Sequence, residues 1–252
     1  MQIRTLKKNE LSLLFHYSKE EQWENEELHT KALFQAHPQD FFIAFKDSQL
    51  FGFVLAVKYS KEFGFISNLL VVKSFRSQGF GKKLFKFACE HLNGCQIALD
   101  SVKGKEQFYE QFGFTSYFDV SNYVFVKGAV TLPKSTLSIS SFEAELALEA
   151  KDTYTKAMIL SNKKSYKAIK KTGSISSFGF SFEYRDGYKL HIESQDINET
   201  LTLFFALLES FENGINIYIQ TSPLSPLQEA IAELLKMKSY DITLRMYNTI
   251  LS

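Results

Sequence analysis

The 252-residue chain is 45% hydrophobic and 23% charged, which is typical of a globular protein with one large domain or two modest ones. Disordered and fibrous proteins are thereby excluded. Aromatic residues make up 15% of the chain, so most of them are expected to fill a core rather than contact a ligand. The formal net charge of +1 gives no overall attraction to nucleic acid, a membrane surface or an acidic partner, so any charged site must be local.

The beginning of the chain does not resemble a signal peptide, because polar and charged residues from Glu10 to Glu20 interrupt every apolar run. No segment has the length and apolarity expected of a membrane span. The two cysteines, Cys89 and Cys95, are too few for a disulfide scaffold and favour a reducing compartment. We therefore expect a cytoplasmic protein with buried thiols, and a nucleophilic role for either thiol is the less favoured alternative.

The first half of the chain opens with a short strand at Ile3–Leu6 and two helices. Three strand-like runs then predict an antiparallel meander: Phe41–Phe45, Phe51–Tyr59 and Phe65–Val72. The remaining predicted elements of this half are a helix over Gly81–Leu92, a strand at Ile97–Leu99, a short helix that ends at Gly113 and a strand over Phe114–Val126.

The segment that carries chemistry joins the third meander strand to the helix at Gly81. Gly79 and Gly81 let backbone approach a ligand without an intervening Cβ, and the N–H groups of a first helical turn attract anions. Three basic side chains can add positive charge: Arg76, Lys82 and Lys83. The spacing fits neither a P-loop nor a dinucleotide fingerprint, so the sequence itself predicts an anion site of another kind.

Residues Arg76-Ser77-Gln78-Gly79-Phe80-Gly81 resemble the pyrophosphate loop in motif A of the GNAT superfamily of N-acetyltransferases. Downstream, Phe108-Tyr109-Glu110-Gln111-Phe112-Gly113-Phe114 resembles the motif B of the same family. The resemblance implies an α/β (α+β) GNAT fold, with a mixed, mostly antiparallel sheet flanked by helices, and acetyl-CoA as co-substrate without a metal. The cofactor-binding residues that it implies are Leu70, Val71, Val72, Arg76, Ser77, Gln78, Gly79, Phe80, Gly81, Lys82 and Lys83.

The resemblance also implies that Tyr109 is the catalytic residue that protonates the departing thiolate. Its phenol suits this role because an unperturbed tyrosine pKa of about 10 keeps it protonated at neutral pH; the alternative is that Tyr109 merely packs beside Phe108 and Phe112. In the family, a splayed strand before the loop exposes amides to the pantetheine arm. By position these are the amides of Leu70–Val72, and the irregularity is expected to start at Asn68.

The general base and the acceptor site are less clear from the sequence. Candidates for the base are Asp100, Glu62, Glu110 and His16, although each is more typical of a solvated or capping residue, and a water chain can serve instead. Acceptor contacts are expected at Trp23, Asn68 and Asp100, with core packing as the alternative for Trp23. Many family members have an Asn where this chain has Asp100-Ser101-Val102, so that cofactor contact is not implied.

The second half repeats the order of the first from its meander onward, with hairpin, helix, strand, helix and strand. It resembles the appended, degenerate GNAT-like domain of some bacterial GNAT proteins. We predict domains at residues 1–128 and 151–252 with a linker at 129–150, and a basic helix over Ser161–Lys171 with a solvated outer face. The loop matching the pyrophosphate site holds Glu193 and Asp196 but no glycine pair, so this half should not bind coenzyme A and is expected to wall off the acceptor pocket.

The function predicted from these features is transfer of the acetyl group of acetyl-CoA to a primary amine of a small-molecule or amino-acid-like acceptor, directly through a tetrahedral intermediate. The alternative is a catalytically silent acyl-CoA-binding sensor or interaction module. Expected partners are the small-molecule amine alone, with neither nucleic acid nor membrane, and the protein is expected to be a monomer or homodimer.

Overall fold

The computed structural model describes residues 1–23, 27–128, 139–141, 167–172, 177–194 and 196–248. The chain forms two compact units, of which the first comprises Met1–Phe118 with Thr243–Ser252 and the second Asp119–Ile242. No helix within the described ranges is long and apolar enough to cross a membrane.

The first unit is built on a mostly antiparallel sheet flanked by helices. Its strands are β1 (Gln2–Thr5), β2 (Phe41–Lys46), β3 (Gln49–Lys58), β4 (Phe63–Val71) and β5 (Gln96–Val102), joined by part of β12 (Lys238–Asn248). The helices are α1 (Leu11–Glu20), α2 (Glu27–Ala36), α3 (Phe80–His91) and α4 (Glu106–Glu110). The strand order is β1-β2-β3-β4-β5-β12, and only β4 and β5 run parallel. The predicted meander and its flanking helices are thus confirmed.

Helix α3 is held on this sheet by residues at helical spacing that are fully buried: Leu84, Phe85, Ala88 and Leu92. Phe85 also contacts α4 and the loop after it, with ring centroids 5.2 Å from Tyr109 and 4.8 Å from Phe112. Truncating a buried Phe to Ala costs about 3–5 kcal/mol. The packing of Phe85 therefore helps to hold α3 in place against the sheet and α4.

The second unit is likewise built on strands and helices and has a core of its own. Its strands are β6 (Phe114–Val126, from Asp119 onward), β7 (Ile139–Ser141), β8 (Lys167–Lys171), β9 (Phe178–Tyr184), β10 (Gly187–Glu193) and β11 (Asn216–Thr221), and its helices are α5 (Ile197–Glu209) and α6 (Pro226–Leu234). The strand order is β6-β11-β10-β9-β8-β7, with β10 and β11 parallel. Helix α5 buries Leu203, Phe204, Leu207 and Leu208.

The last strands of the two halves are exchanged between the units. In the first half β6 follows β5 and α4, just as β12 follows β11 and α6 in the second half. However, β6 pairs with β11 over Ser121–Val126, whereas β12 pairs with β5 over Thr243–Tyr247. The compact units therefore differ from the predicted segments 1–128 and 151–252, because each unit is completed by a strand from the other half of the sequence.

The prediction of a basic helix over Ser161–Lys171 is wrong for Lys167–Lys171, the part that the structure describes. Lys167–Lys171 forms β8, which pairs antiparallel with β9 and β7. The strand is favoured because the ladder hydrogen bonds of both neighbours outweigh the helix propensity of a lysine-rich run. The remainder of that segment and most of the predicted linker lie outside the described residues.

Candidate active site

Strands β4 and β5 run parallel and then separate. Their pairing ends at Ile66 and Leu99, whereas β4 continues to Val71 and β5 to Val102. Where they separate, Asn68 has φ +48° and the register of β4 against β3 shifts, which describes a β-bulge. The irregularity expected at Asn68 is present, and it opens a wedge between the two strands.

Only one of the three amides predicted to face the cofactor is directed into this wedge. The N–H of Val72 donates to the carbonyl of Phe51 at 2.9 Å and so belongs to the ladder with β3. Successive residues of a strand direct their backbone groups to opposite sides, so Leu70 also faces β3 and Val71 faces the wedge. Consistent with this, the Val71 carbonyl accepts a hydrogen bond from Arg76 Nε at 2.8 Å. Of the three amides expected to contact the cofactor, Val71 is therefore the one whose N–H faces the wedge.

The start of α3 has no side-chain cap. Gly79 is the N-cap residue at φ +79°, a conformation that glycine adopts without strain. The first intrahelical bond runs from Lys83 N–H to Gly79 O at 3.2 Å, so the N–H groups of residues 80–82 precede it and point out of the helix end. A Cβ at Gly81 would lie 3.6 Å from Val71. The two glycines thus leave an open, amide-rich surface with the partial positive charge of the helix dipole.

The basic side chains around this helix start have different partners. The Arg76 guanidinium is 2.6 Å from a carboxylate oxygen of Glu21, which also lies 3.8 Å from Lys73 Nζ. Lys83 Nζ lies 5.5 Å from the ring of Phe80, while Lys82 lines the open space in front of the helix. Of these side chains, Lys82 therefore faces the open space, whereas Arg76 is paired with Glu21.

A cleft of about 880 Å³ connects the wedge, the helix start and α4. The predicted residues that line it are Trp23, Asn68, Leu70, Val71, Arg76, Ser77, Gly79, Gly81, Lys82, Asp100 and Tyr109. Val72, Gln78, Phe80 and Lys83 do not line it; Phe80 is buried against Phe51 at a ring distance of 4.8 Å, and the Gln78 amide donates to Ser74 O. Eight lining residues were not predicted: Glu21, Ile66, Ser67, Leu69, Leu99, Val102, Lys105 and Phe108.

Residues 37–116, which include the wedge, the helix start and α4, match the model of the family described as acetyltransferase (GNAT) domain. The match to a GNAT domain thus lies within the first unit. Across both units, the fold is similar to that of a proposed acetyltransferase from Pyrococcus horikoshii, with a TM-score of 0.76 at 12% identity over 98% of this chain and 88% of that one. A tandem GNAT protein from the clavulanic acid biosynthesis pathway gives a TM-score of 0.69 at 11% identity, over 98% and 97% of the two chains.

Among curated proteins, the chain is similar to Holothin acyltransferase of Pseudoalteromonas sp. (strain SANK 73390), with 24% identity over 95 residues. That match spans 38% of this chain and 32% of the relative. The structural similarity shows that the chain has the fold of these tandem proteins, and the family model matches residues 37–116 within its first unit.

Tyr109, within the matched segment, contacts both an aromatic cluster and the cleft. Its ring packs against Phe85 and Phe108 at 5.2 and 5.1 Å, as the packing alternative expects, and the residue also lines the cleft. Burial raises the pKa of the Tyr109 hydroxyl above its ordinary value of 10.0, because removal from water disfavours the phenolate. The hydroxyl is therefore a proton donor at neutral pH.

Asp100 is held in an ion pair with a residue from the far end of the sequence. Arg245 lies directly opposite it in the β5–β12 register, and both carboxylate oxygens accept hydrogen bonds from the guanidinium, through Nε and at 3.1 Å through Nη2. The guanidinium also lies 5.1 Å from the ring centroid of Phe65. Because its lone pairs are engaged by a bidentate arginine, Asp100 is a poor general base despite lining the cleft.

The other candidates for the base lie away from the cleft, since Glu62, Glu110 and His16 are exposed and not among its lining residues. His16 pairs instead with Glu20 at 3.4 Å. In the part of the chain that the structure describes, no group of three His, Cys, Asp or Glu side chains could hold a metal ion.

The equivalent helix start in the second unit is closed by its own side chain. Asp196 is the N-cap of α5, and its carboxylate accepts hydrogen bonds from the N–H groups of Asn198 and Glu199 at 2.7 and 3.2 Å. Pairing of β10 with β11 also ends early, at Lys189, but the Gln228 amide donates to the carbonyl of Ile192 on β10 at 3.0 Å. Two amides of this helix start are thus already occupied, and the absence of coenzyme A binding by this half stays a prediction.

Proposed function

We propose that the protein is an N-acetyltransferase that transfers the acetyl group of acetyl-CoA to a primary amine of a small-molecule or amino-acid-like acceptor. The observation that carries this proposal is the convergence of three features on one cleft: the Val71 amide in the wedge, the open start of α3 and the side chain of Tyr109. Each feature suits a different part of an acyl-CoA thioester.

The donor residues follow from these positions. The pyrophosphate binds the N–H groups of residues 80–82, where helix-dipole charge and open amides coincide, with Lys82 as the nearby cation. Gly79 and Ser77, both in left-handed conformation, shape the loop. The pantetheine arm lies in the wedge between β4 and β5, and the Val71 N–H is the donor placed to polarise the thioester carbonyl.

The chemistry is direct acyl transfer. The neutral amine attacks the carbonyl carbon, a C–N bond forms in the tetrahedral intermediate, and the C–S bond then breaks. Tyr109 donates its phenolic proton to the departing sulfur, because burial keeps the phenol protonated. Asp100 is engaged by Arg245, so water in the cleft takes the proton of the amine.

The relatives support acyl transfer as the reaction class. The curated relative is an acyltransferase by name, and the family model is that of an acetyltransferase domain. Because this chain matches 32% of that relative, its acceptor is not carried over. A cytoplasmic location, a small-molecule amine as partner without nucleic acid or membrane, and a monomeric or homodimeric state complete the proposal.

Free-thiol release from acetyl-CoA across a panel of primary amines tests the reaction and the role of Tyr109 together. The wild-type protein should release thiol with at least one amine, and Tyr109→Phe should lower kcat by about 10²-fold or more, since positioned proton transfer contributes about 10²–10⁴-fold. Tyr117→Phe is the matched control, because Tyr117 is 64% exposed and does not line the cleft. An equal kcat for wild type and Tyr109→Phe would refute the assigned role.

The second candidate is a catalytically silent acyl-CoA sensor, favoured by the ion pair that removes Asp100 as a base. This candidate predicts that acetyl-CoA binds without thiol release on any amine of the panel. Binding measured by calorimetry, together with silence in the thiol assay, would favour the sensor over the enzyme.

A further inference from the structure

Glu21 places a carboxylate beside the pyrophosphate loop from a different element. Its oxygen is 2.6 Å from Arg76 and 3.8 Å from Lys73. The side chain of Glu21 is 17% exposed and that of Arg76 is 42% exposed, so water and solutes can reach the guanidinium. The Glu21 carboxylate is therefore bound to Arg76, in the same loop that is proposed to bind the pyrophosphate.

The position of Glu21 is fixed by the end of α1. Gln22 adopts a left-handed conformation at φ +58°, its N–H bonds to Lys19 O at 3.0 Å, and the N–H of Trp23 bonds to Ser18 O at 2.9 Å. These two bonds define a Schellman cap. Glu21 and Trp23 thus belong to one hydrogen-bonded turn, and both line the cleft.

We propose that Glu21 is a positioning residue that stands in for the donor pyrophosphate and is displaced from Arg76 when acyl-CoA binds. A carboxylate and a diphosphate compete for the same guanidinium because both are bound by its N–H groups, and they repel each other at short range. Displacement is transmitted through the cap to Trp23, which also lines the cleft and was assigned to the acceptor side.

This inference rests on the proposed function, since it requires a coenzyme A site at α3. It explains why Arg76, the most obvious cation of the loop, is not a free phosphate ligand in the structure.

Titration of coenzyme A by calorimetry into wild type and Glu21→Gln tests the competition. Removing the competing charge should tighten binding by about two- to fivefold, because partly exposed ion pairs contribute up to about 1 kcal/mol. Glu20→Gln is the matched control, since it removes the same charge from the same helix at a residue that pairs with His16, and its affinity should equal that of wild type. Glu21→Asp, which keeps the carboxylate, should return the affinity toward wild type.

Trp23 supplies a second readout because it is the only tryptophan of the chain. Coenzyme A should change its fluorescence in wild type, and the ligand-free Glu21→Gln protein should already resemble the bound wild type. If Glu21→Gln binds coenzyme A equally or more weakly, or if its Trp23 response matches that of wild type, Glu21 is only a brace and the inference is overturned. If wild type itself binds no coenzyme A, the proposed function fails as well, so the two failures are distinguishable.

Discussion

The two helix starts that follow β4 and β10 have the same place in the fold and opposite chemistry. Gly79 caps α3 without a side chain and leaves three amides open, whereas Asp196 caps α5 and satisfies two amides within its own turn. The backbone beside the two helix starts also differs, being next to an exposed loop at β4 and next to a packed helix at β10. Val71 bonds a side chain of the exposed loop, and the equivalent region of β10 bonds Gln228 of the packed helix α6.

This difference shows that the fold alone does not leave the amides of a helix start open to an anion. Topology provides a helix start beside a splayed strand in both units, but a carboxylate at the N-cap occupies the donors that a phosphate would use. Glycine at the same place keeps them available, with lower intrinsic helix stability than a side-chain cap gives. At the N-cap position, glycine thus favours anion binding and a carboxylate favours helix stability.

The largest effect is expected when acid is introduced into the open helix start. Gly79→Asp combined with Gly81→Asp should abolish the thermal stabilisation by acetyl-CoA, because two carboxylates repel the pyrophosphate and fill its space. At a hundredfold excess over Kd, the wild type should gain about 2.7 kcal/mol and the variant nothing. Differential scanning fluorimetry over an acetyl-CoA series measures this difference.

The matched control for that variant is Gly94→Asp combined with Gly128→Asp. Gly94 shares the left-handed conformation of Gly79, and a Cβ at either control position meets no neighbour within 4 Å. The control adds the same charge outside the cleft, so it should keep the full stabilisation. Stabilisation that survives in the cleft variant would place the donor elsewhere.

A smaller effect is expected when the closed helix start is opened. Asp196→Ala should destabilise the protein by about 1 kcal/mol in urea unfolding, because two N–H groups lose their cap. The stabilisation by acetyl-CoA should not change, since this loop has neither glycine pair nor lysine. Glu209→Ala, which removes an acid from the other end of α5, should be neutral or slightly stabilising. A gain in acetyl-CoA stabilisation for Asp196→Ala would contradict the assignment of one site per chain.

The smallest effect concerns the Glu10 carboxylate, which is bound mainly by a guanidinium and also by one amide, that of Lys7 at 2.8 Å. Hydrogen bonds from Arg4 at 2.7 and 2.8 Å lower the pKa of Glu10 from 4.5 to about 2. Because the folded-state pKa is depressed, this stabilisation is present above the unfolded value of 4.5 and is lost as the pH falls toward 2. In urea unfolding, wild type should exceed Glu10→Gln by up to about 1 kcal/mol near neutral pH, and the gap should close by about pH 2.

Glu90→Gln provides the comparison for this last prediction, because the Glu90 carboxylate is 65% exposed and 3.8 Å from Lys86. The difference in the free energy of unfolding between wild type and Glu90→Gln should be smaller at neutral pH than that for Glu10→Gln. A Glu10→Gln gap that does not depend on pH would mean that packing, and not the ion pair, accounts for the difference in stability.

The sequence was most informative where structure depends on neighbouring residues. The helix start at Gly79 and Gly81, the packing of Tyr109 and the bulge at Asn68 each depend on residues within one strand–loop–helix segment. Periodicity and the resemblance to two short motifs could therefore locate them. The elements of the meander were predictable for the same reason, since alternating and helical patterns repeat within each element.

Features that depend on distant pairing were not predictable. Arg245 lies opposite Asp100 only because β12 pairs with β5, and Glu21 reaches Arg76 only because α1 ends beside the loop. Exchange of β6 and β12 leaves the apolar pattern of both strands unchanged, so no local signal distinguishes it from the unexchanged arrangement. Lys167–Lys171 was misassigned because its strand character comes from its two neighbours.

Strand exchange also determines when the first unit can fold during synthesis. Asp100 pairs with Arg245, which lies 145 residues later, so this edge of β5 has no partner until Arg245 has left the ribosome. Unpaired strand edges are sites of aggregation, and contacts this distant slow folding. A nascent chain arrested before β12 should therefore have an incomplete first unit, and separate expression of residues 1–118 leaves that unit without the same strand.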